Sequence, residues 1–214
     1  MIRAIFLDVD GTLISFSTHE IPASALRALA QAHERGVRLF IATGRAANDL
    51  GPLEGIPYDG VVSLNGARCV ANDGRVVSLH PIPRADFERA LALSEEQDFA
   101  MGLELEEGVF VNRVTPDVER VAHMVAHPVP EQTDLRELFG RVECCQLCFY
   151  FDAETQRRVM TELPTLAASR WCPIFADVNV AGIDKATGME EFMRSYGFLS
   201  LIHISEPTRP LYIS

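Results

Sequence analysis

The chain has 214 residues, enough to bury a sizeable core and to hold one domain with a large insertion. Hydrophobic residues make up 48% and charged residues 23%, a globular rather than a disordered balance. A formal net charge of −11 argues against nucleic acid or an anionic membrane as partner, and no stretch approaches the roughly 18 apolar residues of a membrane span.

The first predicted strand is the apolar run Ala4 to Leu7, which suits a parallel sheet covered on both faces. It delivers Asp8 and Asp10 just past its C-terminal end, and Gly11 allows the chain to turn away. Ligands bind at that edge of an open α/β sheet. Side chains two apart share one side of a strand, so the two acids are expected to converge. Anions that close repel unless a cation or a shared proton separates them, and a hard ion with oxygen ligands, Mg²⁺, satisfies that need. Read as residues alone, Asp-Val-Asp-Gly is also compatible with a simple turn. Because Asp8 and Asp10 interrupt any hydrophobic leader, no signal peptide is expected. Five cysteines, an odd number, then point to reduced thiols and a cytoplasmic protein.

Pro22 to Arg35 reads as a helix with Leu26, Leu29, Ala30 and His33 on one face and Gly36 just past its end. Val37 to Ala42 is a second buried strand. A strand, helix and strand joined by short connections form a right-handed parallel crossover, which brings Thr43, Gly44 and Arg45 to the same edge as Asp8. A hydroxyl and free backbone N–H groups there can hold a phosphoryl oxygen. Gly60 to Leu64 is a third strand ending at Asn65-Gly66, either a plain turn or a substrate contact. Arg68 to Leu79 reads as a hairpin turning at Asn72-Asp73-Gly74.

From Pro81 to about Asn179 the pattern changes. Predicted helices at Ala85 to Gln97, Pro116 to Ala126 and Ala153 to Leu163 alternate with short strands such as Phe110 to Asn112 and Gln146 to Phe151. That alternation predicts an α+β insertion with its own small core. Cys144-Cys145-x-x-Cys148 lacks a nearby His or second Cys pair to complete four ligands, so a buried strand from Val142 to Phe151 is the expectation. His123 and His127, four apart on a predicted helix, read as a solvated face. The chain carries one lysine, Lys185, against 18 arginines, and opens a further helix there that runs through Tyr196. A compact ammonium can neutralise one carboxylate–phosphate contact as a point charge, which a planar guanidinium does less well.

Asp8-Val9-Asp10-Gly11-Thr12, Ile41-Ala42-Thr43-Gly44-Arg45 and Lys185 resemble the first three motifs of the haloacid dehalogenase-like (HAD) hydrolases. The insertion matches, in position and size, the cap of their Cof-type phosphatases. The resemblance implies an α/β fold: a HAD-like Rossmannoid parallel sheet core, at residues 1–80 and 181–198, with an inserted α+β cap domain at 81–180. It implies a Mg²⁺-dependent phosphatase acting on a small phosphorylated metabolite such as a sugar phosphate or phosphorylated cofactor. Asp8 would be the nucleophile and Asp10 the general acid and base. Thr43, Gly44, Arg45, Asn65 and Lys185 would bind substrate. Asp8 and the Asp10 carbonyl would bind the metal. The family more often has Gly directly after the lysine, whereas here it is Gly188.

The family's fourth motif, Gly-Asp followed by Asn-Asp, has no counterpart after Lys185. Leu199 to Ser214 instead resembles the translation of a sequencing adapter, so native sequence is expected to stop near Phe198. An impaired and poorly soluble chain follows from that expectation. The competing reading makes Leu199 to Ser205 a strand, with Glu206 as the missing acid. A phosphomannomutase-like mutase and a non-catalytic phosphoacceptor or degenerate binding protein are the alternative functions.

Overall fold

The computed structural model describes residues 2–14 and 20–198. The adapter-like segment and Glu206 lie outside the described residues. The described residues form two compact units, one built from those up to Leu79 together with Ile183 to Phe198, the other from His80–Gly182.

The first unit contains β1 (Ala4–Asp8), α1 (Ala23–Glu34), β2 (Arg38–Ala42), β3 (Gly60–Ser63), β4 (Arg68–Ala71) and β5 (Val76–Leu79). Its five strands lie in the order β1-β2-β3-β4-β5; the first three are parallel and the hairpin closes the sheet antiparallel. Alternate side chains of these strands enter two separate cores. Leu7, Leu39, Ile41 and Val61 pack with Leu29 of α1, while Phe6, Phe40 and Val62 face the opposite way. There they meet Phe192 and Met193, with Phe40 stacked on Phe6 at 4.9 Å and tilted against Phe192 at 4.8 Å. Phe192 belongs to the helix at Lys185–Ser195, which therefore covers the sheet face that α1 leaves open.

The second unit holds α2 (Arg84–Glu96), β6 (Ala100–Leu105), β7 (Gly108–Val111), α3 (Pro116–Met124), β8 (Glu131–Gln132), α4 (Leu135–Phe139), β9 (Gln146–Tyr150), α5 (Ala153–Met160), β10 (Leu166–Cys172) and β11 (Phe175–Val180). The helix at Lys185–Ser195 is α6. Six strands order as β10-β11-β9-β6-β7-β8. One core gathers Phe87, Leu103, Leu147, Phe149, Val159 and Val178, so α2 and α5 pack on one sheet face. A smaller core joins Val118 and Val121 of α3 to Val111, Tyr150 and Phe175. No helix among the described residues is long and apolar enough to cross a membrane.

Three expectations need correction. His127 is not on a helix with His123: α3 ends at Met124 because Ala126 enters the left-handed region at φ 56°. His127 N–H then returns to Ala122 O at 2.9 Å and Ala126 N–H to His123 O at 3.2 Å, which caps the helix end. The cysteine strand is shorter than Val142 to Phe151, because residues 142–145 form a connection in which Cys144 O accepts from Ile82 N–H at 2.8 Å. The strand before α3 stops at Val111 rather than Asn112, whose side chain turns to accept from Met101 N–H at 3.0 Å.

Candidate active site

Register places the candidate residues. Asp8 of β1 lies beside Ala42 of β2, and Ala42 beside Val62 of β3, so all three strands end at one edge. Thr43 follows β2 directly and is 1% exposed. Its Oγ1 accepts from Arg45 N–H at 3.1 Å and its carbonyl from Asn65 N–H at 3.1 Å, while Leu64 N–H reaches Arg45 O at 3.1 Å. The loops after β2 and β3 are thus tied together by their backbones.

The turn after β3 is conformationally costly. Leu64 and Asn65 adopt φ of 49° and 55°, and Gly66 follows at 97°. Non-glycine residues in that region store roughly 1–3 kcal/mol each and persist where surrounding contacts over-determine them. The determining contact is close: a Cβ on Gly66 would sit 1.9 Å from Asp184 O, so only glycine admits the N-terminus of α6 here. Gly188 does the same one turn further on, where a Cβ would lie 2.6 Å from Val62 Cγ1 and 2.9 Å from Cys69 Sγ. Asp184 caps α6 by accepting from Thr187 N–H at 2.8 Å. Lys185, its first residue, points at β1, and Nζ lies 2.5 Å from Asp8 Oδ1. The Asp8 side chain is 13% exposed.

Asp10 lies in the loop that closes back through Gly11 N–H to Ile14 O at 2.9 Å. Its side chain is 45% exposed and is gripped by Arg45, with Nε 3.0 Å from Oδ2 and Nη2 2.8 Å from Oδ1. Arg45 Nη1 also reaches Asp49 Oδ2 at 3.0 Å. The hydrogen bonds that Arg45 donates to Asp10, then the charges of Asp10 and Asp49, raise the Arg45 pKa above its ordinary value against the opposing cost of burial. Arg45 is therefore a cation at every accessible pH. Expected as a substrate contact, it here fastens an acid. Asn65 lines the same edge: a Cβ on Gly44 would meet Asn65 Oδ1 at 3.0 Å.

Asp8 and Asp10, the acids at this edge, offer oxygen donors only, the chemistry that suits a hard cation such as Mg²⁺. Two of their partners, Lys185 and Arg45, are cations, so the edge balances charge without depending on a single group.

Pairing in the second sheet assembles a further group that sequence reasoning missed. Glu104 of β6 lies opposite Gln146 of β9, and Asp177 of β11 opposite Cys148. Ligand atoms of Glu104, Cys148 and Asp177 lie within 4.8 Å of one another. Gln146 Nε2 donates to Glu104 Oε2 at 2.6 Å and to Asp177 Oδ1 at 3.1 Å, and Cys148 Sγ to Glu104 Oε2 at 3.7 Å. Burial first, then these acids, push the Cys148 thiol well above its ordinary range, so it stays protonated. No sequence spacing signals this group, because three separate strands supply it.

The family pattern of the haloacid dehalogenase-like hydrolases matches residues 5–200. The chain belongs to that family. It is 54% identical to BT1666, a HAD-superfamily phosphatase of Bacteroides thetaiotaomicron, with a TM-score of 0.89 over 93% of this chain and 74% of that one. A subclass IIB sugar phosphatase, BT4131, is 30% identical with a TM-score of 0.81, covering 92% of this chain and 77% of that one. YkrA of Bacillus subtilis (strain 168), a protein assigned as a phosphatase, is 25% identical over 202 residues, 92% of this chain and 75% of its own length. The expected HAD-like α/β core with a cap is the observed fold class of these neighbours.

Proposed function

We propose that this HAD hydrolase is a phosphomonoesterase that passes the phosphoryl group through an aspartyl-phosphate on Asp8. The observation that carries the reading is the Lys185–Asp8 contact at 2.5 Å, formed between residues 177 apart in sequence. A free carboxylate oxygen of Asp8 attacks phosphorus while the bond to the leaving oxygen breaks, and the Asp10 carboxyl delivers a proton to that oxygen. Asp10 then takes a proton from water, whose oxygen attacks phosphorus and releases Asp8. Lys185, Thr43 and the backbone N–H groups around Gly44 hold the charge that develops on the equatorial oxygens. Asn65 supports the substrate at the same edge, and Arg45 controls Asp10.

The Asp8 carboxylate and the Asp10 carbonyl are the residues that would hold Mg²⁺. The ion supplies charge neutralisation at the transferring phosphoryl when bound. Likeness to a sugar phosphatase supports phosphorylated sugars as the substrate class, and the buried, reduced-type thiols support a cytoplasmic setting.

The test is release of phosphate from p-nitrophenyl phosphate and a panel of sugar phosphates with Mg²⁺, comparing the wild type with Asp8→Asn. Measurable wild-type hydrolysis, abolished in the variant, is expected. Equal rates in the two proteins contradict the nucleophile assignment.

A further inference from the structure

We infer that Asp49 is a positioning residue for the reaction at this edge, acting through Arg45; the inference rests on the phosphatase reading. Asp10 stands on a loop with its side chain nearly half exposed, so packing does not fix its carboxylate. Among the described residues, Arg45 supplies the hydrogen bonds that both Asp10 oxygens accept. The direction of that carboxylate is therefore set by the plane of one guanidinium. A guanidinium is a rigid fork, and fixing one arm fixes the rest. Its root is held by the backbone, through Arg45 N–H to Thr43 Oγ1 and Leu64 N–H to Arg45 O. Its free arm, Nη1, is held by Asp49 Oδ2 at 3.0 Å and by Asp49 O at 3.5 Å. Asp49 is in turn pinned by its own N–H to Ala46 O at 3.1 Å. Three N–H groups on two carboxylates make Arg45 a bracket, with Asp49 as the wall fixing.

Removing Asp49 frees the fork to rotate about its long side chain, and Asp10 moves with it. Asp49 forms no part of the groups that hold the phosphoryl oxygens, so its loss acts on the chemical step rather than on substrate binding. Misplacement of a reacting group by about 1 Å costs up to roughly 10²-fold in rate.

Two measurements test this. In the first, kcat and KM for p-nitrophenyl phosphate are compared for wild type, Asp49→Ala, Arg45→Ala and the double variant. Asp49→Ala, which removes the side-chain acceptor, is expected to lower kcat about tenfold with KM within about twofold, and the double variant to be no slower than Arg45→Ala alone. Multiplying effects, or a KM change alone, overturn the proposal. The second needs no turnover. The Nε–H resonance of Arg45, assigned by its loss in Arg45→Lys, should exchange slowly with solvent in the wild type. In Asp49→Ala it should exchange about tenfold faster. Unchanged exchange overturns the proposal whatever the activity. Wild-type hydrolysis that survives Asp8→Asn instead overturns the phosphatase reading and leaves the exchange result to judge Asp49.

Discussion

Lys185 is the residue on which the site's charge turns. A compact ammonium on the first turn of α6 reaches Asp8 while Arg45 occupies the other acid, Asp10. The two cations differ in kind, and they are not exchangeable. A guanidinium at position 185 is a planar fork that addresses both oxygens of a carboxylate, including the Asp8 oxygen that the proposed attack uses, where an ammonium acts as a point charge on one. Lys185→Arg is expected to lower kcat for phosphomonoester hydrolysis by about 10²-fold, the scale of losing one preorganised charge partner. A variant within twofold of wild type would remove Lys185 from the account. The identity of this lysine was legible because it is the chain's only one. The Arg45–Asp10 bracket was not, since an arginine following Thr-Gly can as well face substrate as an acid 35 residues earlier.

At the scale of elements, the site depends on how closely α6 approaches the turn after β3. Gly66 and Gly188 make that approach possible, and the strained left-handed φ values of Leu64 and Asn65 are held by it. The late glycine, three residues after the lysine, is thereby explained as a helix-to-sheet contact rather than a turn. Gly188→Ala should cost about 1–3 kcal/mol, the range for forcing an extra methyl into a packed contact, read as a lower urea midpoint. An unchanged midpoint would mean that α6 tolerates a wider separation. The strands of the first unit were legible because each is a short apolar run bounded by turn residues. β6, β10 and β11 escaped detection for a physical reason. Ala100–Leu105 is nearly continuously buried and lacks a period, and Leu166–Cys172 carries Ala, Ser and Arg, with alternation only in exposure. The group around Glu104 needs the register of three strands, which no local pattern encodes.

Across the whole molecule, four of the five thiols are kept out of water. Cys69, Cys144, Cys145 and Cys148 are buried and Cys172 is half-buried. Burial pushes Cys69 and Cys144 up from about 9 to about 12, and the same cause raises Cys148 well above its ordinary value. In the unfolded chain these thiols ionise near 9, so above that pH the unfolded state has released protons that the folded state retains. The stability held in protonated thiols is therefore fully present below pH about 9 and is lost as pH rises toward 12. The urea midpoint should hold from pH 7 to 8.5 and fall by pH 10.5, with a shallower fall in Cys144→Ala. The same slope in wild type and variant would show that Cys144 does not contribute. In the native state one thiol, Cys172, should react first with a disulfide reagent, and the other four only on unfolding.

The central claim is that phosphoryl transfer passes through Asp8. The most direct measurement is the mass spectrum of the acid-quenched protein after incubation with Mg²⁺ and p-nitrophenyl phosphate, using Asp10→Asn to slow release. The account predicts a phosphate adduct on the N-terminal peptide, mapped to Asp8 and absent from Asp8→Asn. Turnover without any adduct, or an adduct on another residue, would contradict it.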